Sequence, residues 1–172
     1  MKKILIIESP KYGTFEVLIN DFNYERVTSV NWSIKKCGYS FYAHRQYKKP
    51  DGTRSSMTLH SFIMGKKEGF IIDHIDRNPL NCMQENMRFC TPLENSRNAS
   101  KWKPKNITTI QSKYIGVHWA PDRKLWRVSI YINKKRTYVG KFKDEDSAAR
   151  CRDYYALIHY GEFTNLNFPI AA

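Results

Sequence analysis

Asp73 and His74 are the residues of this 172-residue sequence whose types and spacing best suit catalysis. They end an apolar stretch that begins at Gly69, and such a stretch predicts a β-strand. Side chains alternate along a strand, so we expect these two to point to opposite faces. The carboxylate could bind a cation. The imidazole, with an ordinary pKa near 6.5, could accept a proton from water at cellular pH.

A second part of the same candidate site follows about twenty residues later. Thr91 is a suitable N-cap, Pro92 suits the first helical position, and Glu94 would complete a capping box. Asn95 then lies in the first turn of a predicted helix. If the strand packs on this helix, Asp73 and Asn95 would hold one ion, and their oxygen atoms suit Mg²⁺ or Mn²⁺ better than zinc. Taken singly, each residue has a structural alternative, since an Asn early in a helix is usually a polar surface or capping residue.

Together, residues 59–98 resemble the HNH nuclease motif of phage-type homing endonucleases, which is carried by a ββα-metal finger. Asp73-His74, Asn86 and Asn95 match the motif in order and spacing. The resemblance implies that His74 is the general base, that Asp73 and Asn95 bind one divalent metal ion, and that Asn86 braces the loop that orients His74. Asn95 stands where many relatives have His, which favours Mg²⁺, with Mn²⁺ as the alternative, over Zn²⁺ or Ni²⁺.

The elements that must position this site are short. Apolar and aromatic residues predict strands at 3–7, 14–19, 27–34 and 39–47, with turns at Cys37-Gly38 and Pro50-Asp51-Gly52. Leu59, Phe62 and Ile63 predict a short helix that stops at Gly65. His60 lies in this helix, and we interpret it as a packing or hydrogen-bonding residue.

A second module follows, with its own strand and helix patterns. Between Lys124 and Ile132 the residues alternate, so that Trp126, Val128 and Ile130 share one face of a strand. A basic turn at 133–135 leads to a further strand. Residues 144–160 predict a helix that opens with acidic residues, and its expected buried positions are Ala148, Ala149, Tyr155 and Ile158.

This module resembles an AP2 DNA-binding domain over residues 114–169. The matching segments are Tyr114-Ile115-Gly116-Val117-His118, Trp126-Arg127-Val128, Tyr138-Val139-Gly140-Lys141-Phe142, Asp146-Ser147-Ala148-Ala149 and Asn165-Leu166-Asn167-Phe168-Pro169. The resemblance implies a three-stranded antiparallel sheet that enters the DNA major groove, with one helix packed behind it. The DNA-binding residues expected on the outer face are His118, Arg127, Ser129, Tyr131, Arg136 and Tyr138.

Charge divides the chain in the same way. Its 29 Lys and Arg exceed 16 Asp and Glu, for a net charge of +13, which favours a polyanionic partner. The acid-free segment 101–113 predicts a linker whose Lys101, Lys103 and Lys105 follow the phosphates of double-stranded DNA. We therefore predict an α+β protein with a nuclease domain at 1–100, this linker, and an AP2-like domain at 114–170.

The sequence thus favours a metal-dependent DNA endonuclease that cuts at a selected site, and the resemblance implies a homing endonuclease. The alternative is a non-catalytic DNA-binding transcriptional regulator that keeps the finger as a relic. An RNA-binding protein has no quotable motif, and membrane-surface binding lacks a basic amphipathic helix. We expect a cytoplasmic monomer without signal peptide, membrane span or protein partner. The scattered cysteines predict free thiols: Cys37, Cys82, Cys90 and Cys151.

Overall fold

The computed structural model describes residues 1–99 and 111–169 of the chain, which divides into two compact units, Met1–Asn95 and Ser96–Ala172. Both units mix strands and helices, so the predicted α+β class is confirmed. The predicted linker at 101–113 stays a prediction, because most of it, with Lys101, Lys103 and Lys105, lies outside the described residues.

Across the described ranges, every helix is too short or too polar to span a lipid bilayer. All four cysteines are free thiols, as the sequence predicted.

The first unit contains small antiparallel sheets and short helices. One pairs β1 (Lys2–Ser9) with β2 (Gly13–Asn20), and a second has the order β3 (Ser33–Cys37), β4 (Ser40–Lys48), β5 (Arg54–Thr58). A third pairs β6 (Ile71–His74) with β7 (Met87–Cys90). The helices are α1 (Tyr24–Thr28), α2 (Leu59–Met64) and α3 (Pro92–Arg97), and short 3₁₀ turns cover Asp21–Asn23 and Gln84–Asn86.

The core of this unit includes alternate residues of β2 and one face each of α1 and α2. Val17 and Ile19 on β2 are fully buried, as are Val27 on α1 and Leu59 on α2. The predicted helix that stops at Gly65 is confirmed as α2. Burial of one strand face and short helical stripes is what holds such a small unit together.

One strand prediction in this unit is wrong. Residues 27–34 do not form a strand, because α1 ends at Thr28 and β3 begins only at Ser33. The β-branched residues of this stretch favour a strand locally. The helical turn instead lets Val27 enter the core, and its carbonyl accepts a hydrogen bond of 2.8 Å from Trp32 Nε1.

The second unit contains the predicted three-stranded sheet packed on one helix. The sheet order is β10 (Lys135–Phe142), β9 (Leu125–Ile132), β8 (Val117–Ala120), and α4 (Glu145–Tyr160) packs on it, followed by a 3₁₀ turn at Gly161–Phe163. Val117 and Val128 of the sheet meet Ala148 and Ala149 of the helix in the core. Small alanines let the helix approach the sheet closely.

The helix prediction is confirmed in its extent but wrong at one position. Asp144 caps α4 by accepting a 2.7 Å hydrogen bond from the Ser147 amide. Ile158, however, is 58% exposed, and Arg152, Asp153 and Ala156 are buried instead. Arg152 and Asp153 are satisfied by polar partners from the end of the chain, which an apolar pattern cannot reveal.

The chain end beyond α4 is fastened by Asp153 and Asn167. Asp153 accepts hydrogen bonds from Asn167 Nδ2 at 3.0 Å and from the Phe168 amide at 2.8 Å. Asn167 also exchanges hydrogen bonds with the backbone of Ile115. These contacts hold the segment before β8 against the segment after α4, so the Asn167 segment has a structural role in this unit.

Candidate active site and nucleic-acid interface

Asp73 and His74 end strand β6 and are both buried, at 5% and 7% exposure. In the register with β7, Asp73 lies opposite Arg88 and His74 opposite Met87. Directly opposite residues of an antiparallel pair share a face. Asp73 therefore lies on one face of the β6–β7 ribbon with Arg88, and His74 on the other, as the alternation predicted.

Arg88 is the direct partner of the Asp73 carboxylate. Its Nε and Nη2 atoms donate hydrogen bonds of 3.0 and 2.9 Å to Asp73 Oδ2, and both side chains are largely buried. The sequence pattern by itself did not single out Arg88. A charged residue inside an apolar strand is a signal that the sequence does contain. Only the register of β6 with β7, however, shows that the partner of Arg88 is Asp73.

His74 contacts a second histidine on its own face of the ribbon. The ring of His60 on α2 meets His74 edge-to-face, with centroids 5.2 Å apart, and Tyr42 on β4 meets His60 in the same way at 6.0 Å. His60 is thus a packing residue here. The rings of Tyr42 and His60 restrict the orientation of the His74 imidazole.

The histidine pair favours neutral imidazoles. Burial lowers the pKa of His74 from its ordinary value and outweighs the opposing effect of the negative charges on Asp76 and Asp73. Burial, followed by the charge of His74, lowers the pKa of His60 to about 4. A neutral imidazole is the form that can accept a proton from water.

Asn86 fastens the loop that follows His74. Its Oδ1 accepts a 3.0 Å hydrogen bond from the Asp76 amide, and its Nδ2 donates to Asp76 Oδ1 at 2.9 Å and to the Asn81 carbonyl at 2.8 Å. The Asn86 carbonyl accepts from the Ile75 amide at 2.8 Å. These contacts support the loop immediately after His74, and the side chain of Asn86 reaches the loop rather than the imidazole.

Asp76, which was not among the predicted site residues, is the centre of this loop. Its carboxylate also accepts from the Asn78 amide at 2.8 Å and from Asn81 Nδ2 at 2.7 Å. Burial alone would raise the pKa of Asp76, but these hydrogen bonds, that from Asn86 and the charge of His74 lower it overall. Asp76 therefore stays ionised and holds the loop closed on itself.

Asn95 is positioned by the predicted capping box, which is confirmed. The Thr91 amide donates to Glu94 Oε2 at 2.7 Å, and the Glu94 amide donates back to Thr91 Oγ1 at 3.3 Å. The backbone amide of Asn95 and the charge of Asp73 both act on the buried thiol of Cys90, whose pKa is raised mainly by burial. Asp73 and Asn95 thus neighbour the same side chain, and their sharing of one ion stays a prediction.

The chemistry of this donor set suits a hard divalent cation. A carboxylate and an amide oxygen are the ligands that Mg²⁺ and Mn²⁺ prefer. Within residues 1–99 and 111–169, no group of three His, Cys, Asp or Glu side chains could hold a metal ion. The predicted donors, one carboxylate and one amide, differ from the Cys and His ligands of a structural zinc site.

Basic surfaces border this site within the first unit. An open cleft beside His60 is lined by Lys66, Lys67 and Glu68, together with the aromatic residues Phe70 and Phe89. The β3–β4–β5 strands contain no acidic residue, and their register places one polar row on the face of Tyr42. That row comprises Lys35, His44, Gln46, Lys48, Arg54 and Ser56, and sequence analysis did not identify it because its face depends on register.

The predicted DNA-binding residues of the second unit share one face of the β8–β9–β10 sheet. In the register, Arg127 pairs with His118, Ser129 with Tyr138, and Tyr131 with Arg136. Tyr131 and Tyr138 are 62% and 51% exposed, so this face is open to a partner. Trp126 and Val128 occupy the opposite face against the helix, as the alternation predicted.

A β-bulge adds a residue to this face. The register of β10 shifts between Tyr138 and Gly140, so Lys141 pairs with Arg127 on the outer face while Phe142 joins the core. A Cβ atom at Gly140 would come within 2.8 Å of the Phe142 ring, so the close approach requires glycine. Lys141 was not among the predicted DNA-binding residues, because strict alternation beyond Tyr138 would direct its side chain inward.

Polar contacts hold parts of the outer face in place. Arg136 Nε donates to Ser129 Oγ at 3.1 Å, and Arg127 Nη2 donates to Asp122 Oδ2 at 3.3 Å. The Tyr160 hydroxyl of α4 accepts from the Tyr131 amide and donates to its carbonyl. The guanidinium of Arg136 is thereby directed along the exposed surface, where it can meet phosphates or base edges.

Comparisons with known proteins agree with both predicted resemblances. Residues 65–97 match the HNH endonuclease family. Protein 3.8 of Escherichia phage T7 is 36% identical over 69 residues, which cover 40% of this chain and 53% of that protein. The chain therefore spans about half the length of this phage relative.

Plant proteins give the second set of matches. An AP2/ERF and B3 domain-containing protein of Oryza sativa subsp. japonica is 41% identical over 61 residues, 36% of this chain and 16% of its own length. An AP2-like ethylene-responsive transcription factor of Arabidopsis thaliana is 32% identical over 93 residues, 48% of this chain and 21% of its own length. Together the matches support an HNH plus AP2 architecture and a nuclease function in general.

Proposed function

We propose that this chain, which combines an HNH endonuclease segment with an AP2-like module, is a metal-dependent endonuclease that cuts double-stranded DNA at a selected site. The observation that carries the proposal is the pair at the end of β6. Asp73 is held by Arg88 on one face of the ribbon, and His74 lies against His60 on the other. Both residues lie within the segment that matches the HNH endonuclease family.

His74 is the general base of the proposed reaction. Its burial favours the neutral imidazole, which accepts a proton from the water that attacks the scissile phosphorus. The packing of His60 and the loop fastened by Asn86 keep the imidazole in one orientation. A fixed orientation matters because proton transfer requires a heavy-atom separation of about 2.6–3.2 Å.

Asp73 and Asn95 hold the cation in this proposal, and Mg²⁺ suits their oxygen atoms best. A bound Mg²⁺ would neutralise charge on the scissile phosphate and stabilise the departing 3′ oxygen. Arg88 holds the Asp73 carboxylate in place within a largely buried setting. The protein's own contribution is therefore the placement of one carboxylate, one amide and one imidazole around the phosphate.

In this proposal, the outer face of the β8–β9–β10 sheet in the second unit selects the DNA target site. A two-stranded β-ribbon or sheet fits the major groove, and side chains on its outer face can reach base edges. Arg136, Tyr131 and Tyr138 are the exposed candidates on this face. The Lys-rich segment 101–113 and the basic row of β3–β4–β5 add phosphate contacts, which make affinity strongly dependent on salt.

Selective cutting by a single phage-type nuclease domain is typical of homing endonucleases, and we propose that role. The alternative is a DNA-binding regulator without catalysis, a role in line with the name of the Arabidopsis relative. The two proposals differ in one respect only, since both require DNA binding and just one requires His74 as a base.

Plasmid cleavage distinguishes them. The full chain is incubated with supercoiled plasmid in Mg²⁺, Mn²⁺ or EDTA, and nicked and linear products are measured. We expect metal-dependent cutting, and a loss of about 10²–10⁴-fold in rate for His74→Ala because a general base contributes about that much.

A matched control is His159→Ala, which removes an exposed histidine of α4 that stacks on Tyr155. This variant should cut at the wild-type rate. Binding without cutting in every metal would support the regulator, and equal cutting by His74→Ala would remove His74 from the mechanism.

A further inference from the structure

Arg77 has a backbone conformation that is unfavourable for its side chain. Its φ is 64°, in the left-handed region where the Cβ of an L-residue crowds the following carbonyl. Asn133 and Lys134 share this conformation in the tight β9–β10 hairpin, whose twist favours it, and Lys124 shares it in the turn between β8 and β9. Arg77 lies elsewhere, in the connection between β6 and β7, directly after the proposed base.

The surrounding loop imposes this conformation. Asp76 and Asn86 are joined by reciprocal hydrogen bonds, and the Arg77 amide donates to the His74 carbonyl at 2.8 Å. The far side of the loop is fastened to β2, since the Leu18 amide donates to the Leu80 carbonyl and the Cys82 amide to the Leu18 carbonyl, each at 2.8 Å. Arg77 therefore lies on a turn whose backbone is fixed by hydrogen bonds on both sides.

The side chain itself is exposed and makes no ion pair with any described residue. The adjacent carboxylate of Asp76 is directed into the loop, where Asn78, Asn81 and Asn86 donate to it. The turn from His74 to Arg77 is closed by one hydrogen bond, so their Cα atoms lie within about 7 Å. Glycine would adopt this backbone conformation without strain, yet the residue at this position is an arginine with a long, positively charged side chain.

We propose that Arg77 is a DNA contact residue that binds a phosphate of the strand being cut, next to the scissile phosphate. This inference rests on the proposed function. Strained residues on well-supported backbone cluster at functional sites, and Arg77 lies on the same hydrogen-bonded turn as His74, the proposed general base. A guanidinium donates charge-assisted hydrogen bonds to phosphate oxygens, which would fix the strand relative to His74.

The test measures the melting temperature and DNA binding, which would fall together if Arg77 had only a structural role. For Arg77→Gly in the full chain, we expect the melting temperature to stay the same or rise by a few degrees, because the strain is relieved. Binding to a fluorescein-labelled duplex of mixed sequence in EDTA should weaken about tenfold, and the slope of log K against log salt should decrease by about 1. Plasmid cutting should slow in parallel.

Two control variants complete the design. Arg77→Lys keeps the positive charge and should keep the salt slope, whereas Lys11→Gly, at the far end of the β1–β2 hairpin, should change neither binding nor cutting. An unchanged salt slope in Arg77→Gly, or a melting temperature that falls together with affinity, would overturn the proposal. Failure of the wild-type chain to bind the duplex at all would instead overturn the proposed function.

Discussion

Asp73 and Arg88 lie directly opposite each other on the β6–β7 ribbon, and the Arg88 guanidinium donates to Asp73 Oδ2 through both Nε and Nη2. The two residues are fifteen positions apart in the sequence, so only strand pairing brings them together. A largely buried carboxylate depends on such a partner, because an uncompensated charge in the interior is costly.

Arg88→Met should therefore destabilise the first unit by about 3–5 kcal/mol, since it leaves the Asp73 carboxylate buried without its partner. Urea unfolding followed by circular dichroism measures this loss. The double variant Asp73→Asn/Arg88→Met should recover much of the stability, because the buried charge is gone, but should not recover cutting. A single variant as stable as wild type would contradict the importance of the pair.

The pH dependence of cutting should reflect the lowered pKa of His74. Because burial lowers this pKa, the neutral base persists to lower pH, and the acidic limb of the pH–rate profile should have its midpoint below about 6.5. The negative charge of Asp76 raises the pKa of His74, so Asp76→Asn should shift the midpoint to still lower pH. A midpoint above that of free histidine would show that a different group limits the rate.

His60 should make the fold sensitive to acid. Its pKa is about 4 in the folded chain and about 6.5 when unfolded, so the unfolded state binds more protons between these values. The free energy of unfolding should therefore be unaffected by His60 above about pH 6.5 and fall by about 3 kcal/mol as the pH drops to 4.

His60→Phe keeps an aromatic ring between Tyr42 and His74 but cannot be protonated. Denaturant unfolding of this variant at several pH values should give a flatter profile than that of the wild-type chain. A wild-type profile equal to that of the variant would mean that His60 does not resist protonation in the fold.

Arg136 is the side chain of the second unit that we expect to read a base. Arg136→Ala should weaken binding to a duplex selected from a random library by about 1–3 kcal/mol and relax the preference at one position. Lys135→Ala is a matched control, since Lys135 is exposed on the same strand but lies opposite Ile132 on the other face. Equal losses for both variants would assign Arg136 a phosphate contact only.

Local patterns predicted much of the fold. The alternation of Trp126, Val128 and Ile130 gave the buried face of β9, and Thr91 with Glu94 gave the start of α3. Such signals act between residues that are close in sequence, so they can be recognised without the tertiary structure. Motif order and spacing also depend only on positions along the chain, and they predicted the candidate residues Asp73, His74, Asn86 and Asn95.

Other features of the fold depend on contacts between residues that are distant in the sequence. Val27 enters the core from a helix, although its neighbours favour a strand, because burial outweighs local propensity. The bulge before Gly140 turns Lys141 outward, and the register of β6 with β7 selects Arg88 as the partner of Asp73. Residue type and spacing determine which groups could react, whereas register and packing determine which of them meet, because those depend on the free energy of the whole fold.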